Sequence, residues 1–276
     1  MIRTGLFLIA SFPKSGNTWV RCLIASLLSG GRAPNLDQLG TICPLAASRH
    51  WIESQVGIPT SDLTPDEIAE ARIEAHRLAA RDPTAAQYLK IHDAYSSRLF
   101  HPEATCGIVH IVRDPRDVAV SSAHHSGENL DSVIDRIGRS GMVASVTSRQ
   151  WRRQAEQVLD TWSNHVASWL DITQIPIVLL RYEDLRSDPL RETLRLARFL
   201  GLECDMATIG RAVGACDFQV LREIEEKSGF AERPPRSQRF FRQGQANAWR
   251  GALTPDQATR IVAGHGAIMQ RLGYAA

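Results

Sequence analysis

Three short stretches hold side chains whose types and spacing could handle an anion and a proton. The first is Leu6 to Trp19, LFLIASFPKSGNTW, where an apolar run meets Pro13-Lys14-Ser15-Gly16 and then a helical pattern. The first N–H groups of a helix have no intrahelical partners and sit at the positive end of its dipole, so phosphate or sulfate oxygens dock there. Lys14 adds a full charge at that turn. The second stretch is Leu89-Lys90-Ile91-His92, in which strand alternation puts Lys90 and His92 on one side. The third is His110 to Ser121, HIVRDPRDVAVS. Arg113 at the strand end could fork onto a phosphate, and Ser121, eight residues later on a helix, could donate a hydroxyl. The competing reading for Arg113 is a surface ion pair with Asp114 or Asp117.

Lysine scarcity sharpens this choice of residues. Of 32 basic residues only Lys14, Lys90 and Lys227 are lysines, and two of the three fall in these stretches. A compact ammonium can follow one oxygen and change partner during a reaction, whereas guanidinium is a planar fork suited to a static grip. The order of residues also fits a Walker A loop, G-x-x-x-x-G-K-[ST], poorly. Here Lys14 precedes Gly16, and the residue four before Ser15 is Ser11.

The elements that must position these groups alternate along the chain. Strands are expected over 6–12, 87–92, 107–112 and 177–181, with helices over 17–28 and 115–125. Asp114-Pro115, Asp188-Pro189 and Thr254-Pro255 each place a capping side chain before a proline at the first helical position, and Thr254 to Gln257 has capping-box spacing. Short apolar strands alternating with helices imply an α/β fold, with a central parallel sheet flanked by helices in one domain over 1–276. Ligands of such sheets sit at the carboxyl ends of the strands, and three of these strands run out at Lys14, His92 and Arg113. The fourth delivers Tyr182 to the same edge, unless Tyr182 is a half-buried core residue. Stretches 30–62, 93–105, 126–148 and 228–246 read as irregular, and loops of such length usually cover a site.

Composition narrows the partners. A net charge of +2 gives no push toward nucleic acid. Five cysteines without a C-x-x-C pair indicate neither a zinc site nor a disulfide framework, which suits a reducing cytoplasm. Pro13 and Lys14 interrupt the N-terminal apolar run, so no membrane span or signal peptide is expected.

Taken in order, the stretches resemble the cytosolic-type sulfotransferases, which move a sulfuryl group from 3'-phosphoadenosine-5'-phosphosulfate (PAPS) to an acceptor. FPKSGNTW resembles their 5'-phosphosulfate loop, YPKSGTTW, with Asn17 in place of the usual Thr. Lys90-x-His92 resembles their K-x-H segment, and RDPRDVAVS their 3'-phosphate segment, RNPKDVAVS. Tyr182-Glu183-Asp184 resembles the strand-YED segment whose Tyr contacts the nucleotide. Cys216-Asp217-Phe218 resembles T-S-F, with Cys216 replacing Thr. Phe241 to Arg250, FRQGQANAWR, resembles R-K-G-x-x-G-D-W-K: Arg242 and Gly244 match, Gln243 replaces Lys, and Asn247-Ala248 replace Gly-Asp.

The resemblance implies a P-loop-like strand-loop-helix that binds PAPS as co-substrate, with 3',5'-ADP released and no metal required. His92 would be the general base, with a pKa near its ordinary value of about 6.5. Lys14 and the loop residues Ser15, Gly16, Asn17 and Thr18 would stabilise the bridging oxygen, and Lys90 the sulfuryl oxygens. Trp19 and Phe218 would pack on adenine, although Trp19 could equally be a core residue. Arg113, Ser121, Arg242, Gln243 and Gly244 would hold the 3'-phosphate, and Tyr182 the nucleotide. The acceptor would be a hydroxyl or amine of a small molecule. Its pocket is expected from 36–57, 95–100, 126–148 and 229–240, with Trp51, Tyr95 and Phe230 as apolar contacts. The segment Arg250 to Pro255 lacks the Val and Glu of the family's usual dimerisation motif. Two other readings stay open: a P-loop kinase-like phosphotransferase using Mg²⁺ and ATP, and a catalytically silent nucleotide-binding module.

Overall fold

The run Leu6–Ala10 is apolar at every position because it lies inside a sheet covered on both faces. The computed structural model describes residues 5–81, 85–100, 102–145, 153–233 and 238–274. Its first half contains β1 (Gly5–Ser11), α1 (Asn17–Leu28), α2 (Leu39–Ile42), α3 (Arg49–Val56), α4 (Pro65–Ala80), β2 (Ala86–Ile91) and β3 (Thr105–Val112). Next come α5 (Pro115–Ser126), α6 (Leu130–Ile137), β4 (Val143–Ala144), β5 (Gln157–Val158), α7 (Trp162–Leu170) and β6 (Ile177–Arg181). The chain finishes with α8 (Tyr182–Ser187), α9 (Pro189–Leu200), α10 (Met206–Ala215), α11 (Phe218–Ser228) and α12 (Pro255–Arg271).

Four strands form a wholly parallel sheet in the order β2-β1-β3-β6, flanked by helices in a single α/β domain. The alternation of β1 supplies both faces. Phe7 and Ile9 join Val20, Leu23, Leu196 and Leu221 in one cluster, while Leu6, Leu8 and Ala10 join Phe100, Ile108 and Trp169 in another. Each fully buried aliphatic or aromatic side chain contributes about 1.5–3 kcal/mol, so this two-sided core holds the strand ends in place. Because every strand runs the same way, all four carboxyl ends meet at one edge.

The helix starts at Asp114, Asp188 and Thr254 are capped as expected, and Thr254 with Gln257 completes a capping box. Two stretches expected to be irregular are partly helical. Residues 30–62 contain α2 and α3, and 126–148 contain α6, capped by Asn129 and burying Val133, Ile134 and Ile137. Glycine and serine around α6 conceal a short i, i+3, i+4 apolar stripe that tertiary packing is sufficient to stabilise. Residues 146–148 and 234–237 of the expected acceptor loops lie outside the described residues. No helix among the described residues is long and apolar enough to cross a membrane.

Candidate active site

The loop between β1 and α1 is shaped by two left-handed residues, Lys14 at φ 70° and Gly16 at φ 106°. Gly16 is the N-cap of α1 and forms no side-chain cap bond, while Val20 N–H donates to Gly16 O at 3.2 Å. The amides ahead of Val20 therefore face the loop as donors. Gly16 is required sterically as well as conformationally, because a Cβ there would lie 2.8 Å from Cδ2 of Tyr182. Ser15 closes the turn by donating its amide to Phe12 O at 3.3 Å. Its side chain is buried, and its Oγ has no partner among the described residues.

Beyond the loop opens a cavity of about 820 Å³, within the usual range for small-molecule sites. Lys14, Gly16, Asn17, Thr18 and Trp19 line it together with Lys90, His92, Arg113, Ser121, Tyr182, Phe218, Arg242, Gln243 and Gly244. Of the residues expected to serve catalysis or the co-substrate, Ser15 stands apart from that wall.

His92 follows β2 and is held from both sides. Its Nδ1 lies 2.8 Å from Ser11 O, and its own carbonyl accepts from His165 Nε2 at 3.2 Å. A carbonyl only accepts, so Nδ1 carries the proton and Nε2 keeps its lone pair. The neighbouring Asp93 pairs with buried Arg72 at 2.8 Å and accepts from Val158 N at 3.2 Å, which fixes the strand end. Burial first, and then the charge of Lys90, push His92 down to about 3. This corrects the expected value near 6.5: the imidazole is neutral throughout the physiological range.

Lys14 reaches across the cavity to α5. Its Nζ donates to His125 Nδ1 at 3.1 Å and lies 4.8 Å from the centroid of the Phe240 ring. Burial, followed by the charges of Lys90 and Arg113, lowers Lys14 to about 8. Lys90 donates to Glu232 at 2.9 Å, and the same carboxylate accepts from buried Arg21 at 2.7 Å. Burial lowers Lys90 overall, and Glu232 opposes that fall.

Arg113 stacks on Tyr182, with its guanidinium carbon 4.2 Å from the ring centroid. It donates to Lys14 O at 3.3 Å and Gln245 O at 2.9 Å, so one side chain joins the first loop to the C-terminal one. Asp117 lies 3.7 Å away, closer to the competing ion-pair reading, but Asp117 chiefly accepts the amides of Asn247 and Trp249 at 2.8 and 2.9 Å. Arg242 donates to Gln243 Oε1 at 2.7 Å. Gly244, at φ 60°, lies flat on Phe218: an added Cβ would be 2.2 Å from that ring.

The three replaced positions differ in their surroundings. Asn17 turns its amide inward, donating to Ile9 O at 2.9 Å and Ser11 Oγ at 3.2 Å, so its side chain braces β1. Cys216 is fully buried and offers its carbonyl to Trp19 Nε1 at 2.9 Å. Trp19 thereby both lines the cavity and packs edge-on against Tyr182. Gln243 supplies a neutral amide on the cavity wall where the family pattern has a lysine.

The outer wall differs from expectation. Residues 126–148 contribute Glu128, Arg136, Met142, Val143 and Ala144, and 229–240 contribute Ala231, Glu232 and Phe240. Trp51, Tyr95 and Phe230 do not line the cavity. Trp51 packs on His76, Tyr95 stacks on Phe100, and Phe230 sits against Phe240 and Phe241. His125 and Glu232 escaped the sequence reading. His125 stands one turn beyond Ser121 on α5, a spacing that could have exposed it, whereas nothing in the irregular stretch around Glu232 marks that residue.

A wholly parallel α/β sheet flanked by helices, with a glycine-capped strand-loop-helix at its carboxyl edge, has the P-loop-like architecture. The chain belongs to the sulfotransferase family: the family described as sulfotransferase domain matches residues 5–273. It is thus a sulfotransferase. Cytosolic sulfotransferase 1 of Arabidopsis thaliana is 24% identical over 266 residues, covering 92% of this chain and 75% of the relative. Sulfotransferase 2A6 of Rattus norvegicus is 24% identical over 264 residues, covering 91% and 80%. Among solved structures, retinol dehydratase in complex with androsterone and inactive cofactor PAP superposes with a TM-score of 0.66 at 19% identity, covering 96% of this chain and 80% of that one. Mouse sulfotransferase SULT7A1 complexed with PAP gives 0.62 at 19% identity, covering 97% and 85%.

Proposed function

We propose that residues 1–276 form one sulfotransferase domain that moves the sulfuryl group of PAPS to a hydroxyl or amine of a small-molecule acceptor in the cytoplasm. The observation that carries this reading is the meeting of Lys14, Lys90 and His92 on one cavity wall, with the imidazole Nδ1–H engaged by Ser11 O. Nε2 of His92 takes the acceptor proton, the acceptor oxygen or nitrogen attacks sulfur in line, and the bond from sulfur to the bridging oxygen breaks. Negative charge grows on that oxygen as 3',5'-ADP leaves. Lys14 and the amides of Gly16, Asn17 and Thr18 are preorganised donors for it, and Lys90 serves the sulfuryl oxygens.

A histidine held near 3 before substrate arrives is unprotonated but weakly basic, and an anionic co-substrate beside it raises its basicity. Arg113, Ser121, Arg242, Gln243 and Gly244 are assigned to the 3'-phosphate, Trp19 and Phe218 to adenine, and Tyr182 to the nucleotide. The solved neighbours that hold PAP support this co-substrate, and those with androsterone or retinol support a small-molecule acceptor. The names of the cytosolic relatives support the location.

The test is transfer from sulfur-labelled PAPS to a panel of phenols, alcohols, amines and sugars, run with EDTA. Wild type transfers label, His92→Ala loses about 10²–10⁴-fold in kcat while still binding 3',5'-ADP, and Lys14→Ala loses about 10²–10³-fold. Full activity in either variant refutes the assignment. Mg²⁺-dependent ATP turnover without preference for a 3'-phosphate establishes the kinase-like alternative instead.

A further inference from the structure

Glu232 lies on the cavity wall in the segment after α11, yet it carries the wrong charge for an anion site. Its two oxygens are divided: Oε1 accepts from Arg21 Nη1 at 2.7 Å, and Oε2 from Lys90 Nζ at 2.9 Å. Arg21 is a buried anchor, 1% exposed. Its other terminal nitrogen donates to Leu39 O at 3.2 Å and Cys43 O at 3.1 Å. The carboxylate is therefore tethered on one side to the fold and presents its other oxygen to a lysine that faces the reacting groups.

We propose that Glu232 is the positioning residue that keeps Lys90 charged and aimed into the transfer site. This inference rests on the sulfuryl-transfer reading above. Its physical basis is the crowd of charges around Lys90. From α1 it faces Arg21, from the segment after α2 Cys43, from the end of its own strand His92, from the anion loop Lys14, and from α5 His125. Among these, Glu232 is the carboxylate. A buried ammonium beside two further cations loses its proton unless an anion is in contact. A neutral Lys90 would offer the sulfuryl oxygens a weaker donor. The same carboxylate is held down to about 2 by its two cations despite burial, so it stays ionised at every pH of interest.

The experiment compares the full chain with Glu232→Gln, which keeps shape and removes charge. Lysine ε-¹³C resonances can be followed by NMR against pH, since the chain has only Lys14, Lys90 and Lys227 to assign. The expected result is a Lys90 midpoint lower by about 1–3 pH units. Affinity for 3',5'-ADP is expected to be unchanged or tighter, and kcat for sulfuryl transfer at least tenfold lower. An unmoved Lys90 midpoint overturns the proposal. So does an equal or higher kcat, or a loss confined to folding and nucleotide binding. Should Glu232→Gln not fold, Glu232→Asp keeps a counter-ion for Arg21 but withdraws it from Lys90. It is expected to lower both the midpoint and kcat, and wild-type values of both overturn the proposal. The titration needs no acceptor, so a chain that transfers nothing from PAPS defeats the functional reading, while an unmoved midpoint in an active enzyme defeats only this one.

Discussion

Lys14 should make nucleotide binding fail on the alkaline side much earlier than a lysine ordinarily would. Burial is the largest cause, with Lys90 and Arg113 adding repulsion and Glu232 opposing them, and together they bring Lys14 from 10.5 to about 8. The group is needed protonated, so its contribution is present below that value and lost as pH rises through it. It is roughly nine-tenths charged at pH 7 and one-tenth charged at pH 9. A hydrogen bond from a charged donor to a phosphate oxygen contributes about 1.5–3 kcal/mol, or roughly 10–150-fold in affinity. The dissociation constant for 3',5'-ADP should therefore climb by up to about tenfold per pH unit above 8 and then level off. Calorimetric titrations from pH 7 to 9.5 avoid the second phosphate ionisation near 6. Lys14→Met should bind weakly at every pH, and Lys14→Arg, whose guanidinium does not deprotonate, should give a flat profile. A flat wild-type profile to pH 9.5, or an equal fall in Lys14→Arg, refutes the assignment to Lys14.

Two substitutions probe the backbone and the altered loop. Gly244→Ala places a Cβ 2.2 Å from the Phe218 ring at φ 60°. The left-handed backbone alone costs the fold about 1–2 kcal/mol, and displacement of the Phe218 ring from the wall should weaken 3',5'-ADP binding by calorimetry. An unchanged affinity would separate Phe218 from the nucleotide. Asn17→Thr removes the donor to Ile9 O, which should cost about 1 kcal/mol in denaturant unfolding. The same change brings a hydroxyl to the loop, so 3',5'-ADP affinity should hold or rise; equal stability in the two chains would contradict the bracing role of Asn17.

Local signals were sufficient for most of the scaffold. The apolar runs ending at Lys14, His92 and Arg113 became parallel strands with those residues at one edge, since burial of both faces demands continuous apolar strands and parallel pairing aligns their ends. Asp114, Asp188 and Thr254 announced their helices because a cap is a contact within three residues. The α6 helix was hidden because its stripe is short and acquires stability from the core it covers, including Val118, Trp162 and Ile261.

Residue type, order and spacing, read along the chain alone, told the fold class, the anion loop with its lysine out of Walker order, and the family resemblance later shown across 5–273. Three-dimensional packing was needed for the rest. It joined Lys14 to His125, 111 residues away, and Lys90 to Glu232, 142 residues away. It turned Asn17 inward, and it removed Trp51, Tyr95 and Phe230 from the acceptor wall. It also set the proton affinities, lowering Lys14 to about 8 and His92 to about 3. Strand and cap signals act between neighbours in the chain, whereas burial and charge repulsion depend on which distant residues converge.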